Sequence, residues 1–309
     1  MKILVIGDLH GRKPRIHFKD FDCIVQIGDV CCDKELGPIF KKAFKVAKET
    51  PEKVKGGFGK FIDLKFGKRA INKMEKKSLE VGKEILKYLD SFAKPIFFIP
   101  GNWDDSWGKT RIKDRSRNSY VYLKSFLDEF LGEVINKKLV KGLKNLRSCQ
   151  FEYQCFNDVC FVGYGLSNAP EEPYSLSRLK KAKINKEQYQ RLKRAYKKIQ
   201  DKLRNAYLKR DKKLPVIFLT HNIPYNTKLD IVENKDSYAY KKHLGSTIAR
   251  SFCKKYQPLL CIGGHIHEGK GRDKIGKTIV INPGFGRDAQ VLIDIDEKKK
   301  KIRKIKFWR

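Results

Sequence analysis

The sequence predicts an α/β fold whose parallel strands deliver their last residues to one shared site, and three observations carry that reading. Five short apolar runs rich in β-branched residues recur along the chain: "ILVIGDLH", "IVQIGDV", "IFFIPGN", "VIFLTHN" and "LLCIGGHIH". Each is closed by Gly, Pro or Thr, as expected of strands buried on both faces. Each then places an Asp, Asn or His just past its carboxyl end, namely Asp8 with His10, Asp29, Asn102, His221, and His265 with His267. Ligands of α/β sheets bind outside the carboxyl ends of the strands, so five such coincidences point to one site.

The remaining elements follow in order. A segment at about 31–94 carries a lysine-rich helical pattern, a Gly/Phe stretch "KGGFGKFIDLKFGKR" and a second helix near 73–92. Residues 111–146 read as helical, and "FEYQCFNDVCFVGYG" reads as a hairpin turning at Asn157 and Asp158. A second segment, at about 168–213, starts as a Pro/Ser loop and continues as a helix with Asn185 and Gln188 as its capping box. Tyr189, Leu192, Tyr196, Ile199, Leu203 and Ala206 form an apolar stripe on that helix, and its opposite face is almost wholly Lys and Arg. The tail "QVLIDIDEKKKKIRKIKFWR" reads as two strands around a charged turn. Because the candidate site residues run from Asp8 to His267, a single domain spans 1–309, with the two basic helical segments as insertions.

Composition limits the function classes. With 40% apolar residues over 309 positions, no apolar run approaches the ~18 needed for a helix to cross a bilayer, so the chain reads as soluble and globular. The N-terminal "MKILVIG" is too short for a secretory signal, so a cytoplasmic location is expected. Eight cysteines without a C-x-x-C pair read as buried, reduced thiols. Cys155 and Cys160 face each other across the expected hairpin, and in a reducing cytosol they are expected to stay free. The net charge of +34 attracts polyanions, although lysine spread along the whole chain also suits a general lysine bias.

The collected donors are two aspartates, one asparagine and four histidines. Oxygen and imidazole donors without thiolate suit zinc, manganese or iron and are too nitrogen-rich for calcium. Seven donors exceed what one ion takes from protein. Two divalent ions sharing a carboxylate would use them all, and would acidify water for in-line attack on phosphorus.

In this order D-L-H, G-D, G-N-x-D, H and G-H-I-H resemble the motifs of the calcineurin-like metallophosphoesterases. The resemblance implies a four-layer sandwich of two mixed β-sheets flanked by helices. It places Asp8, His10 and His267 on one metal, Asn102, His221 and His265 on the other, and Asp29 between them. It implies two divalent ions, manganese first, with iron, zinc or nickel as alternatives. One departure stands out. The family commonly reads G-N-H-D or G-N-H-E, whose histidine protonates the leaving oxygen, whereas this chain reads "GNWD". The Trp103 indole can donate a hydrogen bond but cannot transfer a proton.

Asp29, Asn102 and Asp104 are therefore the candidate catalytic residues, with Asp104 the remaining acid if buried, although a nearby dinuclear cation would lower its pKa. Arg12 and Trp103 are the candidate substrate contacts. Arg12 could take a substrate phosphate or pair with a local carboxylate. The expected function is two-metal hydrolysis of phosphate esters, a phosphodiesterase ahead of a monoesterase, with nucleic acid as the favoured substrate through the basic insertions. The alternatives are a small-molecule or phosphoprotein phosphatase, and a non-catalytic scaffold on the same fold. Phe58, Phe61 and Phe66 are either base-stacking groups or buried loop residues. His17 and His243 read as surface or packing residues, and "NPGFGR" as a turn beneath the site.

Overall fold

The computed structural model describes residues 1–50, 58–104, 137–165, 167, 171, 186–235 and 240–308. Its strands are β1 (Lys2–Ile6), β2 (Cys23–Gln26), β3 (Ile96–Phe98), β4 (Leu146–Ser148), β5 (Tyr153–Phe156), β6 (Val159–Tyr164), β7 (Val216–Asn222), β8 (Leu260–Gly264), β9 (Gly271–Ile275), β10 (Thr278–Asn282), β11 (Gln290–Asp296) and β12 (Lys301–Phe307). They form two mixed six-stranded sheets, ordered β12-β11-β1-β2-β3-β4 and β5-β6-β7-β8-β10-β9. Strands β1 to β4 run parallel, as do β6, β7, β8 and β10, and the antiparallel strands lie at the margins.

The period of two along each strand explains the layers. Val5, Val25, Phe97, Phe161, Ile217 and Ile262 point between the sheets and form the central core, where Phe97 stacks on Phe161 at 3.8 Å between ring centres. Their neighbours Leu4, Ile24 and Phe98 point outward onto Leu79, Leu86 and Leu89 of α3 (Lys68–Asp90). On the other side Val162, Phe218 and Cys261 pack against Ile199, Leu203 and Tyr207 of α5 (Lys186–Leu208) and Phe252 of α6 (Thr247–Tyr256). The result is helix, sheet, sheet, helix, the sandwich that the motifs imply. The strands are apolar throughout because both faces are covered.

The two basic segments are less separate than expected. Helices α3 and α5 are outer layers of the sandwich, and their lysines occupy the face turned away from the sheets. The first segment also holds α1 (Leu36–Glu49) and α2 (Phe58–Phe66), which with the start of α3 build a small core from Leu36, Ala43, Ile62 and Ile71. The Gly/Phe stretch is thus largely helical, and Phe61 and Phe66 pack against that core instead of presenting free stacking faces; the side chain of Phe58 lies outside the described residues. Of 111–146, the described part comprises a short helix, α4 (Lys137–Val140), and the start of β4; the helical reading of 111–136, and Asn185 of the expected capping box, lie outside the described residues.

The hairpin and the two-stranded tail form as read, with Asn157 in the left-handed region at φ 50°. One expectation is corrected: Cys155 and Cys160 are joined as a disulfide. They are directly paired across the ladder with Cα atoms 4.1 Å apart, so the register brings the sulfurs within bonding reach. Among the described residues no helix is long and apolar enough to cross a membrane.

Candidate metal centre

The carboxyl ends of β1, β2, β3, β7 and β8 converge, and the chain turns sharply there. Three of the seven expected ligands sit in the left-handed region, His10 at φ 45°, Asp29 at 54° and His265 at 67°. Such strain in non-glycine residues persists only where the surroundings hold it, and it clusters at functional sites. The glycines of "GD" and "GN" have a matching cause. A Cβ on Gly28 would collide with the backbone of Gly101, and one on Gly101 with the backbone N–H and carboxylate of Asp29. The second and third strand-end turns therefore press directly on one another.

All seven expected ligands meet. Asp29 Oδ2 lies 3.2 Å from His10 Nε2 and 3.4 Å from His221 Nε2, which puts one carboxylate oxygen between two imidazoles. Its other oxygen accepts the Trp103 backbone N–H at 2.7 Å. His221 Nδ1 donates to the Ile27 carbonyl at 3.0 Å, so its Nε2 faces Asn102 Oδ1, 2.8 Å away. Asp8 Oδ2 accepts the His265 N–H at 2.6 Å and lies 3.6 Å from His267 Nε2. The donor atoms of Asp8, His10 and His267 lie within 4.8 Å of one another, as do those of Asp29, His221 and His265.

Electrostatics test whether cations fit. Burial pushes the Asp8 carboxyl up to about 7, with the neighbouring Asp29 charge adding to it. Burial resists charge on His10 and His221, yet Asp29 and Asp8 raise them to about 10 and about 9. Burial likewise resists charge on Asp29, but His221 and His10 hold it well below the usual carboxylate range. His267 falls to about 4, from burial and from the charge on His10. In the metal-free protein, protons on His10 and His221 thus supply positive charge that the carboxylates demand. With Nδ1 committed to Ile27, a neutral His221 would aim its Nε2 lone pair at two oxygens, an arrangement that needs a cation. Asp8 Oδ1 is buried without a hydrogen-bond partner among the described residues. The oxygen and nitrogen donors therefore fit divalent ions.

Asp104 is held by the backbone. It is 2% exposed, and both its oxygens are taken by backbone N–H groups: Oδ2 by Asp29 (2.8 Å) and Gly101 (2.7 Å), Oδ1 by Val30 (2.9 Å) and Cys31 (3.0 Å). Burial, and then Asp29, raise its pKa, but four donors leave no oxygen to carry a proton to substrate. Asp104 thereby ties the two strand-end turns together. The half-buried Trp103 indole sits edge-on to His10 (6.3 Å) and to Phe40 of α1 (5.6 Å), joining the metal-binding loops to the core of the first insertion. Exposed Arg12 lies at the rim, its guanidinium 4.6 Å from the centre of the Phe285 ring.

Two residues at the centre escaped sequence reasoning. Phe285, from "NPGFGR", stacks on His267 with ring centres 4.1 Å apart and planes 12° apart, while Gly286 N–H donates to the Asp8 carbonyl at 2.8 Å. The turn flanks the site and leaves Phe285 38% exposed at its rim. Its position after an apolar run was legible, but nothing in the pattern indicated stacking on a histidine. Asp33, 3.0 Å from His10 Nδ1, lacked even a strand-end signal. His17, stacked on Trp308 and paired with Asp288, and His243, paired with Asp230, make the local contacts expected of packing residues.

Comparison with known proteins agrees with this architecture. The model of the calcineurin-like phosphoesterase family matches residues 1–269. The uncharacterized protein MJ1162 of Methanocaldococcus jannaschii is 27% identical over 291 residues, covering 92% of this chain and 88% of that protein. A solved crystal structure superposes with a TM-score of 0.55 at 18% identity, covering 100% of this chain and 99% of the other, which speaks to the fold alone. The protein TT1561 of Thermus thermophilus covers 100% of this chain and 99% of its own at 15% identity, with a TM-score of 0.41.

Proposed function

We propose that this chain, which belongs to the calcineurin-like phosphoesterase family, hydrolyses phosphodiesters with two divalent ions and takes nucleic acid as its substrate class. One observation carries the metal reading: Asp29 Oδ2 stands between His10 Nε2 and His221 Nε2, with a group of donors on either side. Asp8, His10 and His267 would hold one ion, Asn102, His221 and His265 the other, with Asp29 shared and manganese the first choice. Bound there, the ions would supply Lewis acidity, polarising a phosphoryl oxygen and acidifying water.

The chain's own groups set the geometry. Ile27 orients His221, Asp104 fixes the backbone that presents Asp29, and Phe285 supports the face of His267. Arg12 lies at the rim beside Phe285, where its guanidinium can take a non-bridging phosphate oxygen. Trp103 supplies packing and no proton, so the proton that a nucleic-acid alkoxide needs on leaving would have to come from solvent. The nucleic-acid part rests on the exposed Lys193, Arg194 and Lys197 of α5 and on the edge strand β12, which carries Lys301, Arg303, Lys304 and Lys306.

The deciding experiment is a hydrolysis panel with manganese spanning aryl phosphates, cyclic nucleotides and short DNA and RNA. Cleavage of diesters ahead of monoesters, with binding that weakens by a log-log salt slope of about −0.7 to −0.9 per phosphate contact, is expected. Reversal of Lys193, Arg194 and Lys197 to glutamate should weaken nucleic-acid binding and leave a small aryl diester untouched. Equal affinity before and after reversal removes α5 from the reading. Preference for monoesters returns the chain to a small-molecule or phosphoprotein phosphatase, and absence of turnover to a scaffold.

A further inference from the structure

An imidazole binds a metal through one nitrogen, and the partner of the other nitrogen decides which tautomer is present and how basic the ligand is. At His221 that partner is a backbone carbonyl, Ile27. At His10 the nearest group is a side chain: Nε2 faces Asp29 and Nδ1 lies 3.0 Å from Asp33 Oδ2, close enough to pair, although neither buried ring nitrogen has a well-directed hydrogen bond among the described residues. Asp33 stands at the head of the first insertion, where its carbonyl accepts the Gly37 N–H at 2.6 Å just inside α1. Its side chain is 31% exposed, so the carboxylate spans the distance between solvent and the buried imidazole.

We propose that Asp33 is a positioning residue for the metal centre, fixing His10 with Nδ1–H donated to the carboxylate and Nε2 held toward the ion shared with Asp8 and His267. The proposal rests on the reading of this site as a divalent-metal centre. A hydrogen bond from Nδ1–H to a carboxylate keeps the ring from turning over, keeps the Nε2 lone pair available and makes that nitrogen a stronger donor than a bond to a neutral carbonyl would. The two halves of the centre are thereby supported differently. Residues at the head of the insertion adjust one ion's ligand without touching the other's. The charge of Arg12 also acts on the Asp33 carboxylate.

The test is calorimetric titration of manganese into the metal-stripped full chain, for the wild type and for Asp33→Ala, Asp33→Asn, Asp33→Glu and Glu35→Gln, with far-UV circular dichroism to confirm folding. Outer partners of metal-binding histidines typically matter by about 10- to 100-fold in affinity. Asp33→Ala should weaken one of two binding events by that factor and leave the other unchanged. Asp33→Asn, which keeps shape and loses charge, should fall between it and the wild type, and Asp33→Glu should restore part of the loss. Glu35, paired with Lys77, removes a nearby carboxylate without contacting His10, so Glu35→Gln should bind as the wild type does. Wild-type affinity for both ions in Asp33→Ala overturns the proposal while leaving the centre intact, and so does an equal loss in Glu35→Gln, which would reduce the effect to net charge. A wild type that takes up no divalent ion overturns the metal reading itself, and this proposal with it.

Discussion

The two halves of the centre are built from the same kinds of donor but held by different parts of the protein. Asp29 and His221 are 1% and 0% exposed in their side chains, and their further contacts run to backbone: the Ile27 carbonyl, the Trp103 N–H and the turns clamped by Asp104. On the other half Asp8 and His10 are as deeply buried, at 1% and 3%, but the half-buried His267 lies against Phe285 and His10 has Asp33 beside it, so the two halves differ in which side chains support them and not in depth. The first half is a consequence of strand order, because wherever these strands end, those carbonyls and N–H groups are present. The other half depends on side chains brought from a late turn and from an insertion. Charge at depth must be compensated, since a buried unpaired carboxylate is costly. Rigidity is therefore concentrated where the shared ligand sits, and variation is possible where substrate arrives.

Asp29 belongs to both halves, so its loss should erase the difference between them. Asp29→Asn keeps the shape and the bond to the Trp103 N–H but removes the charge that His10 and His221 face. Metal-dependent hydrolysis should fall to background and the second ion should be lost, while the fold remains. Wild-type turnover in this variant would end the two-metal account. Next in size is Asp104→Ala, which strips acceptors from four buried N–H groups. An orphaned buried donor costs about 1–3 kcal/mol, so a loss of at least about 2 kcal/mol is expected in chemical denaturation. Stability within about 0.5 kcal/mol of the wild type would mean that water replaces the clamp and that Asp104 positions nothing.

Proton release sharpens the comparison further. His10 and His221 titrate near 10 and 9 in the metal-free fold, above an unfolded value of about 6.5. Their protonated pairing with Asp29 therefore contributes stability that is fully present below pH 6.5 and lost as the pH rises through about 9 to 10. Metal requires the neutral rings, so near pH 7.5 binding should expel about two protons, and affinity should climb with pH up to that range. His267, held near 4, should release none. Manganese titrations in two buffers of different protonation enthalpy measure the number directly. Heats that do not depend on the buffer would show that His10 and His221 are neutral without metal.

These contrasts also explain what the sequence could and could not disclose. The candidate ligands were legible because each lies at the end of an apolar run closed by a glycine, proline or threonine, two local signals that coincide at every strand end. The sheets were legible for the same reason, since runs buried on both faces lack alternation. Asp33 was not legible: nothing within a few residues marks it, and its meaning arises only when the loop after β2 runs beside the end of β1 and brings it to His10. The role of α3 as an outer layer was hidden by its lysines, which dominate the composition although Leu79, Leu86 and Leu89 decide the packing. Cys155 and Cys160 were placed opposite one another correctly, but register alone could not say that they would be joined.

The smallest effect is expected at Trp103, and the reason lies in the same division between backbone and side-chain support. A histidine there would restore the family's usual motif, and general acid assistance is typically worth about 10² to 10⁴-fold with poor leaving groups. An acid of that kind needs a partner to orient it. Asp104 is committed to four N–H groups, and Asp33 to His10, so neither is free to hold a new imidazole. The smaller ring would also leave space against Phe40 and loosen the contact with the first insertion. Trp103→His should therefore raise turnover of alkyl diesters by less than the ~10² lower end of that range, and leave activated aryl diesters unchanged. A leaving-group series on both proteins, under chemistry-limited conditions, measures the slope of rate against leaving-group pKa. A steep slope that barely changes fits an indole fixed in the packing between the first insertion and the centre. Full recovery of a flat slope would show that the site had kept a place for the acid, and that Asp33 or Asp104 can change partners.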